Sequence, residues 1–484
     1  MNRKHLRTQT LTHLYNLHTL IATMGKSHRR TTPDSPRQPS ETGQAANGHS
    51  RPGLRKVIST TQLWAIAVGM VISGEYFGWN YGWAVAGTIG FLIATFIVTI
   101  LYLTFIFSYT ELTTAIPDAG GPFAYALRAF GPTGGFLAGF ATLVDFLMAP
   151  PAIAAALGAY AHFLDPALPM LGVAVASYGV FVSINILGIK ESANFSVIVT
   201  VLAVAELLLF MALVAPAYKT ENVLAHNESF GVGGIFAALP FAIWFYLAIE
   251  GVAMVAEEVR EPQKTIPRGY LLSIGTLIVL ALGTMLLCAG AGDWRQLSQN
   301  DYPLPATLAM VFGPQNSWAK VFAGLGLFGL IASFHANTLG YSRQLFALAR
   351  AGYLPSFLAD VNPRFQTPHW SLIVGGLVGL AALFSGTTGE IITLSVIGAL
   401  VMYIISLLSL FRLRRTEPDL VRPYSTPFYP TVPIIAITLS IVCLLAIVYY
   451  NPGLSLIFGS LLVLSWLLFR WLVPRSNRPV PSSG

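Results

Sequence analysis

The sequence predicts an all-α membrane protein of about twelve transmembrane helices, built as a five-plus-five inverted repeat with its first and sixth helices broken. Three observations carry that reading. Of the 484 residues, 54% are hydrophobic and only 10% charged, with a mean hydropathy of +0.64; a soluble domain carries about 25% charge. The apolar segments run about 20 residues, the length at which a helix crosses hydrocarbon, and the short alternating segments of a transmembrane barrel do not occur. Finally, two of these segments hold an acid and a glycine at mid-depth, Gly74-Glu75 in the first and Glu250-Gly251 in the sixth.

Residues 1–56 are polar and rich in Lys, Arg, Ser, Thr, Pro and Gly, a composition that cannot build a core and predicts a disordered cytoplasmic tail. The part up to Met24 lacks acids, which fits either an organellar transit peptide or an over-extended start with Met24 as the initiator in place of Met1. Spans are predicted near 61–83, 86–115, 134–163, 168–189, 194–215, 233–256, 268–290, 317–349, 370–387, 390–411, 431–450 and 453–473. The transporter domain thus covers 57–475, with one repeat over 61–215, the second over 233–411, extra helices over 431–473 and a short cytoplasmic tail at 476–484. Pro150-Pro151 is expected to kink the third span. The extra helices pack at the edge of the repeat or in a homodimer.

Charge tests the count. With the N-terminus in the cytoplasm, all of the 28 Lys and Arg fall on the inside except Lys219, Arg295 and Lys320. That is a positive-inside pattern for a multi-pass plasma-membrane protein with both termini cytoplasmic. It also accounts for the net charge of +7 without any nucleic-acid partner. Cys288 and Cys443 both sit in apolar runs and read as packing residues.

Residues 71–78 and 244–252 occupy matching places in two sets of five spans. Since five is odd, the second set enters the membrane from the opposite side. A carboxylate near the bilayer centre costs roughly 2.5–3.5 kcal/mol on insertion scales, and glycine weakens the helix that would shield it. Such paired interruptions mark helices opened around a polar ligand.

These stretches resemble the amino acid–polyamine–organocation superfamily over roughly residues 57–475. Three more support the likeness: Pro117-Asp118-Ala119-Gly120-Gly121-Pro122 before span three, Glu257 to Arg268 after span six, and Ala349 to Pro355 at the end of span eight. The run Ile72 to Asn80, with Ala149-Pro150-Pro151-Ala152, is similar to the ethanolamine permease branch. The resemblance implies secondary transport of a small amine or amino acid, expected to work by alternating access without a cofactor; a proton is the expected coupling ion, with sodium left open by the Ser and Thr hydroxyls of span eight. Two departures matter. Amino-acid carriers of the superfamily usually open span one at Gly-x-Gly, whose bare amides hold the substrate carboxylate; here the residues are Ser73, Gly74 and Glu75. An ionised Glu75 at ~4 Å from a carboxylate costs about 4 kcal/mol at an effective dielectric near 20, which selects an amine. Proton-coupled relatives often carry a lysine in span five, and the run Thr200 to Glu206 has none.

Glu75 is therefore the first candidate for the ligand ammonium, against a structural acid bonded to the opposite half-helix. Glu250 matches the span-six acid that the resemblance ties to substrate charge or protonation, against a hydrogen bond that steadies the break. Two acids in one cavity, Glu75 and Glu250, are expected to share a proton, with Glu206 either a further proton relay or only bonded to a neighbouring span. Asp145, with its neighbour Phe146, stands near where the family's span three faces the substrate, against a helix-packing hydrogen bond. Trp244 offers a ring face, and Ser73, Gly74, Ala248 and Gly251 line the breaks. Ser333 and Asn337 share a face of span eight at i, i+4 spacing, where Asn337 is suited to a substrate hydroxyl. Trp79 reads as a second ring face or an interface residue, Trp83 as an interfacial belt residue, and His335 as a packing residue more than a proton carrier. The loop charges Glu257, Glu258, Arg260 and Lys264 form either a cytoplasmic network that latches the inner gate or a solvated cluster. Rival readings are an amino-acid permease or exchanger on the same fold, and a channel or sensor. No nucleophile, metal or phosphate-loop pattern suggests an enzyme.

Overall fold

The computed structural model describes residues 57–188, 193–225, 231–313 and 316–472, all within the unit Leu54–Gly484. The predicted tails 1–56 and 476–484, both candidate start methionines, Lys190, Arg475 and Arg478 lie outside the described residues. Among the described residues the chain is helical, with an isolated bridge between Ile58 and Val259.

Nine of the described helices are long and apolar enough to cross a membrane by length and composition. They stand at the predicted spans two (Tyr81–Ala115), three (Pro122–Leu164), five (Ala193–Val214), six (Leu239–Glu258), seven (Pro262–Ala291), eight (Ser317–Arg350), ten (Thr388–Thr416), eleven (Thr431–Tyr450) and twelve (Pro452–Leu472). Shorter apolar helices, Thr60–Val71, Met170–Ile186 and His369–Ser385, occupy the places of spans one, four and nine.

Local chemistry sets several boundaries. Span one starts on a capping box: the Gln62 amide donates to Ser59 Oγ, and the Ser59 amide donates to Gln62 Oε1 at 2.9 Å. Thr387 and Glu390 open span ten in the same way. The two longest helices each contain a glycine out of helical geometry, Gly87 (φ 65°) and Gly131 (φ 72°), a region that a Cβ makes costly. Gly87 separates the end of span one from span two, and Gly131 separates a lead-in helix from span three. The helix keeps its dihedrals through Pro150-Pro151, where the sequence predicts a kink. Proline's fixed φ is itself helical, so the pair removes hydrogen bonds without forcing the chain out of the helix.

Spans three and six are the most buried and span twelve the least. Span ten packs along span three, and span one lies against spans five, six, seven and eight. Span eleven exposes Leu445 (64%) and span twelve Leu456 (72%), the apolar faces a bilayer would cover. Both cysteines are free and buried. Three short helices join the frame at connections where the sequence suggests only loops: Thr220–Leu224, Trp294–Leu297 and Pro303–Phe312.

Candidate functional site

Spans one and six are both interrupted, and the interruptions touch. In span one the normal ladder fails between Met70 and Glu75. The Glu75 amide donates to Ile72 O, three residues back, at 3.0 Å. The Met70 carbonyl is taken instead by Ser333 Oγ at 2.7 Å and Asn337 Nδ2 at 3.0 Å. Ser73–Tyr76 is still a helical turn. The extended backbone falls after it, at Phe77 (φ −162°, ψ 171°), followed by Gly78 at positive φ (90°), a few residues beyond the Ser73-Gly74-Glu75 opening that the sequence suggests. The reason is that Ile72 retains helical dihedrals (φ −58°, ψ −23°). In span six the helix Leu239–Trp244 ends in turns, Ala248 is left-handed (φ 77°), and a 3-10 helix runs from Ile249 to Glu258. A non-glycine residue in that region costs of order 1–3 kcal/mol.

A methyl group at Gly74 would overlap the Trp244 carbonyl oxygen, so the two breaks are in backbone contact. Gly74→Ala is expected to lower stability by about 1–3 kcal/mol by overpacking, read as a fall in the melting temperature of the detergent-solubilised protein; an unchanged transition would show that the breaks are free to part.

Glu75 is fully buried, and among the described residues neither of its carboxylate oxygens has a hydrogen-bond donor. Around it the chain is aromatic. Trp79 Nε1 donates to Glu75 O at 3.2 Å, and its ring stacks on Phe245. Trp244 Nε1 donates to Phe77 O at 3.0 Å, with its ring edge-on to Phe77. Both indoles thus hold the broken backbone. Trp83 is fully buried edge-on to Trp79, not in an interfacial belt as the sequence suggests; the hydropathy pattern cannot tell a ring facing lipid headgroups from one facing a neighbouring span.

Asp145 and Glu250 come together. Their carboxyls are close enough to interact, Ser395 Oγ lies 2.8 Å from Asp145 O and 2.9 Å from Asp145 Oδ1, and Tyr403 OH donates to Glu250 Oε2 at 3.0 Å. The structure therefore places Glu250 against Asp145, where the sequence expects a proton shared between Glu250 and Glu75. Phe146 packs where a Cβ on Gly251 or Gly340 would stand. Ser333 Oγ also lies 2.8 Å from Ser73 Oγ, and among the described residues Asn337 Oδ1 has no donor. Glu206 is buried and accepts from Tyr76 OH at 2.9 Å, beside Glu75 in sequence. His335 lies away from this group, against Asn185 and Phe181.

Hydrogen-bonded latches close both ends of the bundle. At the predicted outer face, Asn80 Nδ2 donates to Leu297 O at 2.7 Å and Asn300 O at 2.8 Å. Asp301 accepts from Tyr81 OH and, at 3.1 Å, from Thr388 Oγ1. Burial pushes the Asp301 carboxyl above its ordinary range. This latch borders a cavity of about 650 Å³ lined by Tyr81, Phe241, Asp301 and Thr388 among others. At the opposite face, the Val57 and Ile58 amides donate to Glu258 O, and the Arg260 amide donates to Ile58 O at 2.9 Å. Glu257 Oε1 accepts from the Ala119 amide at 2.9 Å, which joins two of the stretches that carry the sequence resemblance. Glu258 pairs with Arg343 at 3.7 Å, while Lys264 pairs only with exposed Glu261.

Sequence reasoning missed Tyr403, Tyr102 and Ser395. Tyr102 OH lies 2.9 Å from Tyr403 OH, so a hydroxyl chain runs from span two through span ten to Glu250. Tyrosines inside apolar spans are a usable signal, because a buried phenol usually finds a partner; their partners are set by packing alone. Also missed is Glu111, which is 1% exposed and gripped by Arg414 (2.6 and 2.8 Å), Arg422 (3.4 Å) and Thr426.

Comparison with known proteins agrees with this architecture. The amino acid permease family model matches residues 58–469. An uncharacterized transporter of Rhizobium meliloti is 29% identical over 89% of this chain and 95% of its own. A branched-chain amino acid permease of Bacillus subtilis is 25% identical over 79% of this chain and 86% of its own. A low-affinity putrescine importer of Escherichia coli is 26% identical over 57% and 63%. These names point to a transporter of small organic molecules and not to an enzyme. A helical, multi-pass chain with two abutting broken spans, matched along most of its length by that model, belongs to the amino acid permease family.

Proposed function

We propose that this protein is a secondary active permease for a small amine, ethanolamine in the first place, working by alternating access and driven by a proton gradient. The observation that carries the reading is Glu75: a fully buried acid at the break of span one, with both oxygens lacking a protein donor. A buried carboxylate left unpaired is destabilising by several kcal/mol, and an ammonium ligand with three donors supplies what is missing. The Phe77, Trp79 and Trp244 rings nearby suit a cation. Two latches at opposite faces suit a carrier that opens to one side at a time. The sequence halves then act as inverted repeats rocking about the midplane, in the plasma membrane, with the charge pattern supporting cytoplasmic termini.

The second reading, an amino-acid permease or exchanger, is favoured by the relative named for branched-chain amino acids. Uptake of labelled ethanolamine and of labelled serine and leucine in proteoliposomes separates the two. Ethanolamine is expected to be taken up and to be competed by other carboxyl-free amines, while the amino acids are neither carried nor competing. Uptake of the labelled amino acids without uptake of ethanolamine would replace the proposal with the second reading.

A further inference from the structure

Two carboxyls meet inside this protein, and neither is Glu75. Asp145 of span three contacts Glu250 of span six. On span ten, Ser395 Oγ lies 2.8 Å from Asp145 O and 2.9 Å from Asp145 Oδ1, and Tyr403 OH donates to Glu250 Oε2. Among the described residues, Asp145 Oδ2 and Glu250 Oε1 are left with no hydrogen-bond partner. An ionised carboxylate only accepts, and two of them in contact repel, so such a pair retains a proton and titrates as a unit. One carboxylic O–H between the two residues satisfies both orphan oxygens at once. The other titratable side chains acting on the pair are neutral phenols: Tyr102, Tyr109, Tyr270 and Tyr403.

We propose that Asp145 and Glu250 form a proton-binding site holding one shared proton at neutral pH, and that its release and rebinding couple transport to the proton gradient, leaving Glu75 to the amine. The coupling half rests on the transport reading above; the shared proton does not. Tyr403 and Tyr102 act as positioning residues: Tyr403 fixes Glu250, and Tyr102 fixes Tyr403.

Infrared difference spectroscopy of the purified protein, with no substrate present, tests the shared proton. The carbonyl stretch of a protonated carboxyl is expected at neutral pH in the wild type. In Asp145→Asn and in Glu250→Gln the new amide N–H takes the place of the O–H donor, so the same band is lost from each. Tyr403→Phe, which keeps both acids, is expected to shift the band without removing it. A band lost in only one of the two amide variants would put the proton on one residue alone and overturn the proposal. So would a band that survives in both, or one missing from the wild type. In proteoliposomes, both amide variants are expected to lose accumulation driven by a pH gradient. Gradient-driven accumulation at wild-type levels would overturn the coupling role. A wild type that shows the band yet neither binds nor carries amines would leave the proton site standing and sink the amine reading instead.

Discussion

Glu75→Gln is expected to weaken ethanolamine binding and uptake by roughly ten- to a hundredfold while the protein reaches the membrane in normal amounts. The substitution keeps the size of the side chain and the break of span one, which is held by Ser333 and Asn337 on the Met70 carbonyl and not by the Glu75 side chain. What changes is charge. A desolvated ammonium facing a carboxylate has a charge-assisted hydrogen bond, and facing an amide it keeps only a neutral acceptor. Hydrogen bonds to charged groups are worth about 1.5–3 kcal/mol, which corresponds to a loss of roughly ten- to a hundredfold in affinity. Because Glu75 has no protein donor to lose, Gln is expected to leave the melting temperature unchanged or raise it. Uptake and binding of labelled ethanolamine, measured beside thermal stability, check this. Wild-type uptake by the variant would remove Glu75 from the site. Lost uptake together with a large fall in stability would assign it a structural role.

The second large effect is on stability. Arg414→Ala is expected to destabilise the protein by about 3 kcal/mol, the lower part of the range for breaking a buried ion pair. Glu111 is 1% exposed near the end of span two, and Arg414 holds it through two nitrogens. The Arg414 guanidinium also lies 3.8 Å from the centroid of the Tyr429 ring. Arg422 and the Thr426 amide and hydroxyl remain in the variant, which keeps the loss from being larger. The knot ties span two, the end of span ten and the segment leading to span eleven, while Arg128 binds Glu417 of that same segment at 2.6 Å. Thermal unfolding in detergent measures the effect. Pairing Arg414→Ala with Glu111→Gln is expected to recover part of the loss, because the buried carboxylate is then gone and Arg422 keeps its bonds to the carbonyls of Pro418, Leu420, Leu413 and Glu417. Equal unfolding of wild type and Arg414→Ala would mean that the network contributes nothing.

Much of this was legible in the residues. The spans follow from the length of the apolar runs, and the two breaks from an acid and a glycine at mid-depth. Position along a helix also placed Ser333 and Asn337 together. Which acid meets which was not legible. Glu75 and Glu250 occupy equivalent places in the two broken spans, and that symmetry suggests that they share a proton. Glu250 instead faces Asp145, because span ten packs along span three and brings Ser395 and Tyr403 to the two carboxyls.

The chain by itself determined that it must live in a bilayer, where it crosses, and that two crossings cannot be continuous helices. Those properties depend on local composition and period, since hydrocarbon demands that each span satisfy its own backbone. Only the tertiary structure decided how the acids are divided, with Glu75 alone and Asp145 beside Glu250, and that the Met70 carbonyl is answered from span eight. Those pairings join residues more than a hundred positions apart, and their geometry is set by helix packing, on which the order of residues along any one span is silent.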